Sequence, residues 1–180
     1  MSYAKKSIAK IILCGDGAVG KTTLAQNLTG TLNLNEERKM TPGIDVHLLK
    51  TYSGLTKAQI IDLGGQEQFR FFQQDFCRGA DIAVFVFSLE WYHSFMNVVN
   101  WLELFNTSNV KKCILVGNKA DSDNRVISYN EAKEFAESLG MDYIEVSAIT
   151  GHNCKKLRES LQEEIVTMFD EIAQLKCYNF

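Results

Sequence analysis

The segment Gly15-Asp16-Gly17-Ala18-Val19-Gly20-Lys21-Thr22 constrains this chain more than any other stretch of it. It has the form G-x-x-x-x-G-K-[ST], follows a mostly apolar run from Ser7 to Cys14, and precedes a pattern that turns helical at Lys21. A buried strand that ends on glycine and passes through a tight loop into a helix is an anion site. The backbone N–H groups of Gly17 to Lys21 can curl round phosphate oxygens, and the positive end of the helix dipole adds to them. In such a loop Lys21 is expected between β- and γ-phosphate oxygens and the Thr22 hydroxyl on Mg²⁺, with Thr23 beside it. The loop by itself does not separate a GTPase from an ATPase or a nucleotide kinase.

The rest of the chain alternates between strand and helix patterns. Asp45 to Thr51 and Lys57 to Asp62 read as a hairpin turning around Ser53-Gly54. Ala80 to Ser88 and Lys112 to Gly117 are continuous apolar runs, as in central strands of a parallel sheet. Between them, Phe95, Val98, Val99, Leu102 and Phe105 recur at helical spacing. Ser128-Tyr129-Asn130-Glu131 opens a further helix as a capping box and Gly140 closes it. Asp142 to Val146 is a last strand. A final helix carries Leu157, Leu161, Ile165, Met168, Ile172 and Leu175 on one face. With 180 residues and no internal repeat or linker, one α/β domain over residues 1–180 is expected, with a short tail at about 176–180.

Two further strand ends carry chemistry. Asn118-Lys119-Ala120-Asp121 follows the run Lys112 to Gly117, at the carboxyl end where open α/β sheets bind ligands. A carboxylate at Asp121 can accept from N1–H and the exocyclic amino group of guanine, and adenine has no matching donor pair. The Lys119 stem can lie over the base, Asn118 can brace the phosphate loop, and Ser147-Ala148 can offer a backbone N–H to the guanine O6. Asp62-Leu63-Gly64-Gly65-Gln66 ends the second hairpin strand. There Asp62 is a candidate Mg²⁺ ligand through water, Gly65 a backbone donor to the γ-phosphate, and Gln66 the residue that orients the attacking water. Thr41 is the candidate second hydroxyl on Mg²⁺.

Composition excludes several alternatives. A net charge of −3 with interspersed signs gives no footprint for nucleic acid. Five cysteines without a CxxC pair or zinc spacing fit reduced thiols and a cytoplasmic chain. The most apolar run, Ala80 to Leu89, is too short to span a bilayer. His47, His93 and His152 read as surface or loop histidines. Phe71-Phe72 and Phe76 read equally as an exposed partner patch or as packing beneath the loop.

These elements, in this order over essentially the whole chain, resemble the Ras superfamily of small GTPases. Phe76-Cys77-Arg78-Gly79-Ala80-Asp81, Ser94-Phe95 and Trp101-Leu102 resemble its Rab branch. The resemblance implies a three-layer P-loop NTPase fold, a six-stranded mostly parallel sheet with helices on both faces. It implies a switch that holds GTP or GDP with Mg²⁺, hydrolyses GTP slowly, and has segments at about 31–45 and 63–74 that order around the γ-phosphate. Implied partners are a GTPase-activating protein, a guanine-nucleotide exchange factor and effectors.

The chain departs from the Rab pattern in places. Asp62-Leu63-Gly64-Gly65-Gln66 replaces Asp-Thr-Ala-Gly-Gln and is closer to the Arf and Roc branches, and Thr41-Pro42-Gly43 replaces Thr-Ile-Gly. Leu34 stands where relatives stack an aromatic on guanine, so faster nucleotide release is expected. Cys177-Tyr178-Asn179-Phe180 is a poor prenylation signal, so membrane association lacks a clear lipid anchor. A nucleotide-binding module without turnover is the alternative from another class.

Overall fold

The computed structural model describes residues 8–35, 40–50, 57–65, 70–105 and 109–177, with backbone alone at 57, 70–72 and 171–177. Alternation along the strands sorts the core into two layers. In β1 (Ile8–Cys14), Ile11 and Leu13 pack with one helical layer while Ile12 and Cys14 pack with the other. A strand buried on both faces is apolar at consecutive positions, as the sequence of β1 shows.

The described residues form a six-stranded sheet in the order β2-β3-β1-β4-β5-β6. β2 (Ile44–Lys50) runs antiparallel to β3 (Lys57–Leu63), with Asp45 opposite Asp62 and Lys50 opposite Lys57. β4 (Ile82–Ser88), β5 (Lys112–Asn118) and β6 (Asp142–Glu145) continue the sheet in parallel with β1 and β3. The expected hairpin is therefore the antiparallel edge; the turn read at Ser53-Gly54 lies outside the described residues.

Two helices cover one face. Leu24, Ala25 and Leu28 of α1 (Lys21–Thr29) meet Leu157, Leu161, Ile165 and Met168 of the last helix, Cys154–Cys177. That is the expected apolar face; the side chains of Ile172 and Leu175 lie outside the description. The other face is covered by α2 (Arg70–Cys77), α3 (Tyr92–Met96), α4 (Val98–Leu102), a 3₁₀ turn at Glu103–Phe105, and α5 (Tyr129–Ser138). The last helix is α6. As expected, α5 opens on a cap, with the Glu131 N–H donating to Ser128 Oγ at 3.2 Å.

Two elements differ from the sequence expectation. The single helix read from Ser94 to Phe105 is broken at Asn97, which lies between α3 and α4, and Trp101 is buried there while Val99 is exposed. α2 had no helical signature because its pattern is inverted: Gln73 and Cys77 face inward and Phe76 is exposed.

Phe85 is fully buried on β4, with its ring 5.4 Å from that of Phe105 in an edge-on arrangement. Phe85→Ala is expected to cost about 3–5 kcal/mol of folding stability, read from the urea midpoint at constant denaturant slope. Among the described residues no helix is long and apolar enough to cross a membrane.

Candidate functional site

All the parallel strands point their carboxyl ends at one edge of the sheet, so loops far apart in the chain meet there. They enclose a cleft of about 470 Å³. Residues of the loop and helix start after β1, among them Gly17, Lys21 and Thr22, line it with Gly64 and Gly65 after β3, Glu90 after β4, Asn118, Lys119, Asp121 and Ser122 after β5, and Ala148 and Ile149 after β6.

The phosphate-binding loop is held in a narrow set of conformations. Gly20 has φ +94, and a Cβ there would stand 2.4 Å from Asn118 Nδ2, so only glycine fits. Ala18 adopts a left-handed φ of 60, a conformation costly for alanine and common at functional loops. Helix α1 opens on Gly20 without a side-chain cap, which leaves its first N–H groups for an anion. Lys21 is buried and donates from Nζ to the carbonyls of Gly15 at 2.8 Å and Asp16 at 2.7 Å. Burial pulls its pKa below the usual lysine value, against the opposing charge of Asp62.

Below the loop, one carboxylate gathers two hydroxyls. Thr22 Oγ1 lies 2.5 Å from Thr41 Oγ1 and donates to Asp62 Oδ2, and Thr41 Oγ1 donates to the same oxygen at 3.4 Å. Asp62 is fully buried, and its Oδ1 makes no hydrogen bond among the described residues. Burial raises its pKa, opposed by the Thr22 hydrogen bond and the Lys21 charge. An acceptor left without a partner in the interior is costly, and a hard cation with oxygen ligands is the group that would satisfy it. Thr41 is brought in by the preceding loop, where the Gly64 N–H donates to the Gly43 carbonyl at 2.7 Å. A Cβ on Gly64 would stand 2.7 Å from the Thr41 carbonyl and 2.8 Å from that of Gly43, so alanine at this position would collide with the loop carrying Pro42. Gly65 is closer still to the phosphate loop, its Cβ position falling 2.1 Å from the Gly17 nitrogen.

At the other end, Asn118 ties three loops together. Its Nδ2 donates to the Val19 carbonyl at 2.8 Å and its Oδ1 accepts from the Ala148 N–H at 3.0 Å. Lys119 is left-handed at φ 67, and its Nζ donates to Glu90 Oε2 at 2.9 Å. The hydrogen bonds from Lys119 and Ser122 hold the Glu90 carboxyl below the usual glutamate range. Asp121 is exposed and lines the cleft.

Of the residues singled out in the sequence, Gly17, Ala18, Gly20, Lys21, Thr22, Thr23, Thr41, Gly65, Asn118, Lys119, Asp121 and Ala148 line the cleft. Gly15, Asp16, Val19, Asp62 and Ser147 stand behind it, and Ser147 donates its N–H to the His152 carbonyl at 3.1 Å. Gln66 lies outside the described residues. Met40, Gly64, Glu90, Ser122 and Ile149 also line the cleft and were not anticipated. Glu90 was legible in principle, because it follows the carboxyl end of β4. His47 is not a surface residue: it sits on β2 with a side chain 11% exposed, 3.3 Å from Asp45.

A glycine-rich loop at a helix N-terminus, a carboxylate with two hydroxyls and the turn at Asn118 to Asp121, all at one sheet edge, define a P-loop nucleotide-binding protein. Residues 10–167 match the family model for the Ras family. The chain is similar to the Ras-related protein RABA5c of Arabidopsis thaliana, 37% identical over 87% of this chain and 75% of that relative. It is also similar to the Ras-related protein Rab-1D of Dictyostelium discoideum, 34% identical over 92% of this chain and 83% of the relative. The Ras-related protein RIC1 of Oryza sativa subsp. japonica is 35% identical over 87% and 79%. The chain belongs to the Ras family. It is a small, Rab-like GTP-binding switch and a GTPase.

Proposed function

We propose that this switch is a single G domain over residues 1–180 that holds GTP or GDP with Mg²⁺ through the residues gathered at the cleft. The observation that carries the reading is the convergence of Thr22, Thr41 and Asp62 beneath the same loop as Lys21. In this reading Gly15 to Thr23 cradle the phosphates, with the Lys21 ammonium on β- and γ-phosphate oxygens. Thr22 and Thr41 offer hydroxyl oxygens to Mg²⁺, and Asp62 holds it through water. When bound, Mg²⁺ neutralises charge on the phosphate oxygens. Gly65 donates its N–H to the γ-phosphate and Gln66 orients the attacking water.

Asp121 selects guanine, Lys119 lies along the base, and Ser147-Ala148 fixes the end of the slot. An activating protein, an exchange factor and effectors read the segments at about 31–45 and 63–74. A trans-acting arginine would raise hydrolysis by about 10³–10⁵-fold. The site is expected in the cytoplasm, without a nucleic-acid partner.

The test is the nucleotide released from purified protein by denaturation, resolved by chromatography. Guanine nucleotide is expected; an adenine nucleotide overturns the assignment of Asp121. Phosphate release by wild-type protein and Gln66→Leu then separates a turning-over enzyme from a binding module. Equal rates remove Gln66 from its role.

Mg²⁺ retention should depend on pH. The Asp62 pKa is raised by burial, so in the folded chain this carboxyl keeps its proton to higher pH than in the unfolded chain. The folded state then binds more protons between the ordinary aspartate value and the raised one, and stability without Mg²⁺ falls as pH rises through that window. The cation needs the ionised form, so its affinity falls as pH is lowered into the window. Magnesium titrations of GDP release at neutral and mildly acidic pH check this, and the Asp62→Asn variant should lose the dependence.

A further inference from the structure

Asp16 is an odd residue for a loop built to receive anions. A carboxylate near bound phosphates repels them, and at a few ångströms that repulsion is not small in a partly buried setting. The side chain is nonetheless kept, and it is only 9% exposed. Its partners come from α3, α4 and the residue between them, far away in sequence. Asp16 Oδ1 accepts from Trp101 Nε1 at 2.7 Å and from Asn97 Nδ2 at 2.5 Å. His93 Nδ1 stands 3.5 Å from Oδ2. The orientation of Asn97 is fixed from behind, because Asn100 Nδ2 donates to Asn97 Oδ1. Asn97 is also the residue at which the covering helix breaks into α3 and α4. The main chain of Asp16 is the part that faces the site: its carbonyl accepts from Lys21 Nζ at 2.7 Å, and a Cβ on Gly65 would lie 2.3 Å from its carbonyl carbon.

We propose that the Asp16 carboxylate is a positioning residue: α3 and α4 hold it through Trp101 and Asn97, and so fix the phosphate loop in the curl that receives the β-phosphate. The inference rests on the nucleotide reading above. The side chain touches no phosphate. It acts through its own peptide, whose carbonyl sets the Lys21 ammonium, and through the N–H groups that follow it. Two hydrogen bonds to one carboxylate oxygen are strong and directional, and they offset the charge that would otherwise disfavour the ligand.

The tether and simple electrostatics predict opposite signs. If Asp16 only adds negative charge, Asp16→Ala slows release of GDP or leaves it unchanged. If it is a tether, Asp16→Ala, Asn97→Ala and Trp101→Phe each speed release of a fluorescent GDP, about tenfold for Asp16→Ala. Asp16→Asn keeps the Oδ1 acceptor used by both donors and should recover most of the loss. The Asp16→Ala/Trp101→Phe double variant should release GDP no faster than the faster single variant, since both remove one contact. GMP, which lacks the β-phosphate, should change its affinity less than GDP in every variant. Asn97 is half-exposed, so Asn97→Ala reads the tether without opening the core. Slower or unchanged release in Asp16→Ala, additive rates in the double variant, or equal losses for GMP and GDP overturn the proposal. Wild-type protein that retains no guanine nucleotide overturns the underlying site assignment instead, before any variant is compared.

Discussion

Lys21→Met protein is expected to purify without nucleotide and to bind GDP about 10²- to 10³-fold more weakly than wild type, because a buried cation opposite a phosphate is removed. Methionine keeps most of the stem and its packing, so the change isolates the ammonium. That ammonium is buried and satisfied by two loop carbonyls, those of Gly15 and Asp16. The loop therefore stores a cation close to its working place, and binding needs only a small shift of Nζ towards the phosphates. Burial lowers the lysine pKa, because desolvation disfavours the charged form. Removing that charge should leave the apo protein as stable as wild type, while the thermal shift on adding GDP and Mg²⁺ nearly disappears. Isothermal titration with GDP and a melting curve with and without ligand read both. Undiminished GDP affinity in this variant would remove Lys21 from the phosphate site.

The parts of the site that were legible in the sequence are those where a local rule and a global one coincide. The phosphate loop is local: eight consecutive residues, with a glycine at 20 that nothing larger could replace beside Asn118. Asn118 and Asp62 were legible because each ends an apolar strand run, and parallel strands bring their carboxyl ends together. What was not legible depends on contacts across the fold. Glu90 matters only because Lys119, almost thirty residues later, turns left-handed and reaches it. The break between α3 and α4 is invisible to periodicity, since Phe95, Val98, Trp101 and Phe105 still recur as a helix would have them, and the side chain at the break is turned towards Asp16. In α2, a buried Gln73 that donates to the Gly64 carbonyl at 2.6 Å replaces the apolar residue a pattern search needs.

The unusual glycine at 64 has a counterpart in the segment that faces it. The Gly64 N–H bonds to Gly43, and the space a methyl group would need is filled by the carbonyls of Thr41 and Gly43. The departure at Gly64 therefore packs against Thr41 and Gly43, the two residues that flank the departure at Pro42.

Asp121→Asn should exchange guanine for xanthine. The turn that presents residue 121 is rigid: the Ala120 N–H donates to the Val146 carbonyl at 3.0 Å, and the Ser122 N–H to the Lys119 carbonyl at 3.0 Å. Asn118 braces it on the phosphate-loop side, so a substitution at 121 changes chemistry without moving the backbone. In the proposed reading, a carboxylate there would accept from N1–H and the 2-amino group of guanine. An asparagine can still accept from N1–H, but its amide then meets the 2-amino group donor to donor. Xanthine carries a carbonyl at that carbon, and the same amide donates to it. Losing a charged hydrogen bond costs about 1.5–3 kcal/mol, and a donor facing a donor adds to that, so GDP affinity should fall about 10²- to 10⁴-fold. Xanthosine diphosphate should then bind the variant more tightly than GDP. Competition of both nucleotides against a fluorescent GDP for wild type, and against a fluorescent xanthosine diphosphate for the variant, measures the exchange. Because Lys21, Thr22 and Asp62 are untouched, the Mg²⁺ dependence of retention should be the same in both proteins. A variant that keeps its preference for GDP would mean that the base is read by a residue other than Asp121, and that the exposed carboxylate at the mouth of the cleft only faces solvent.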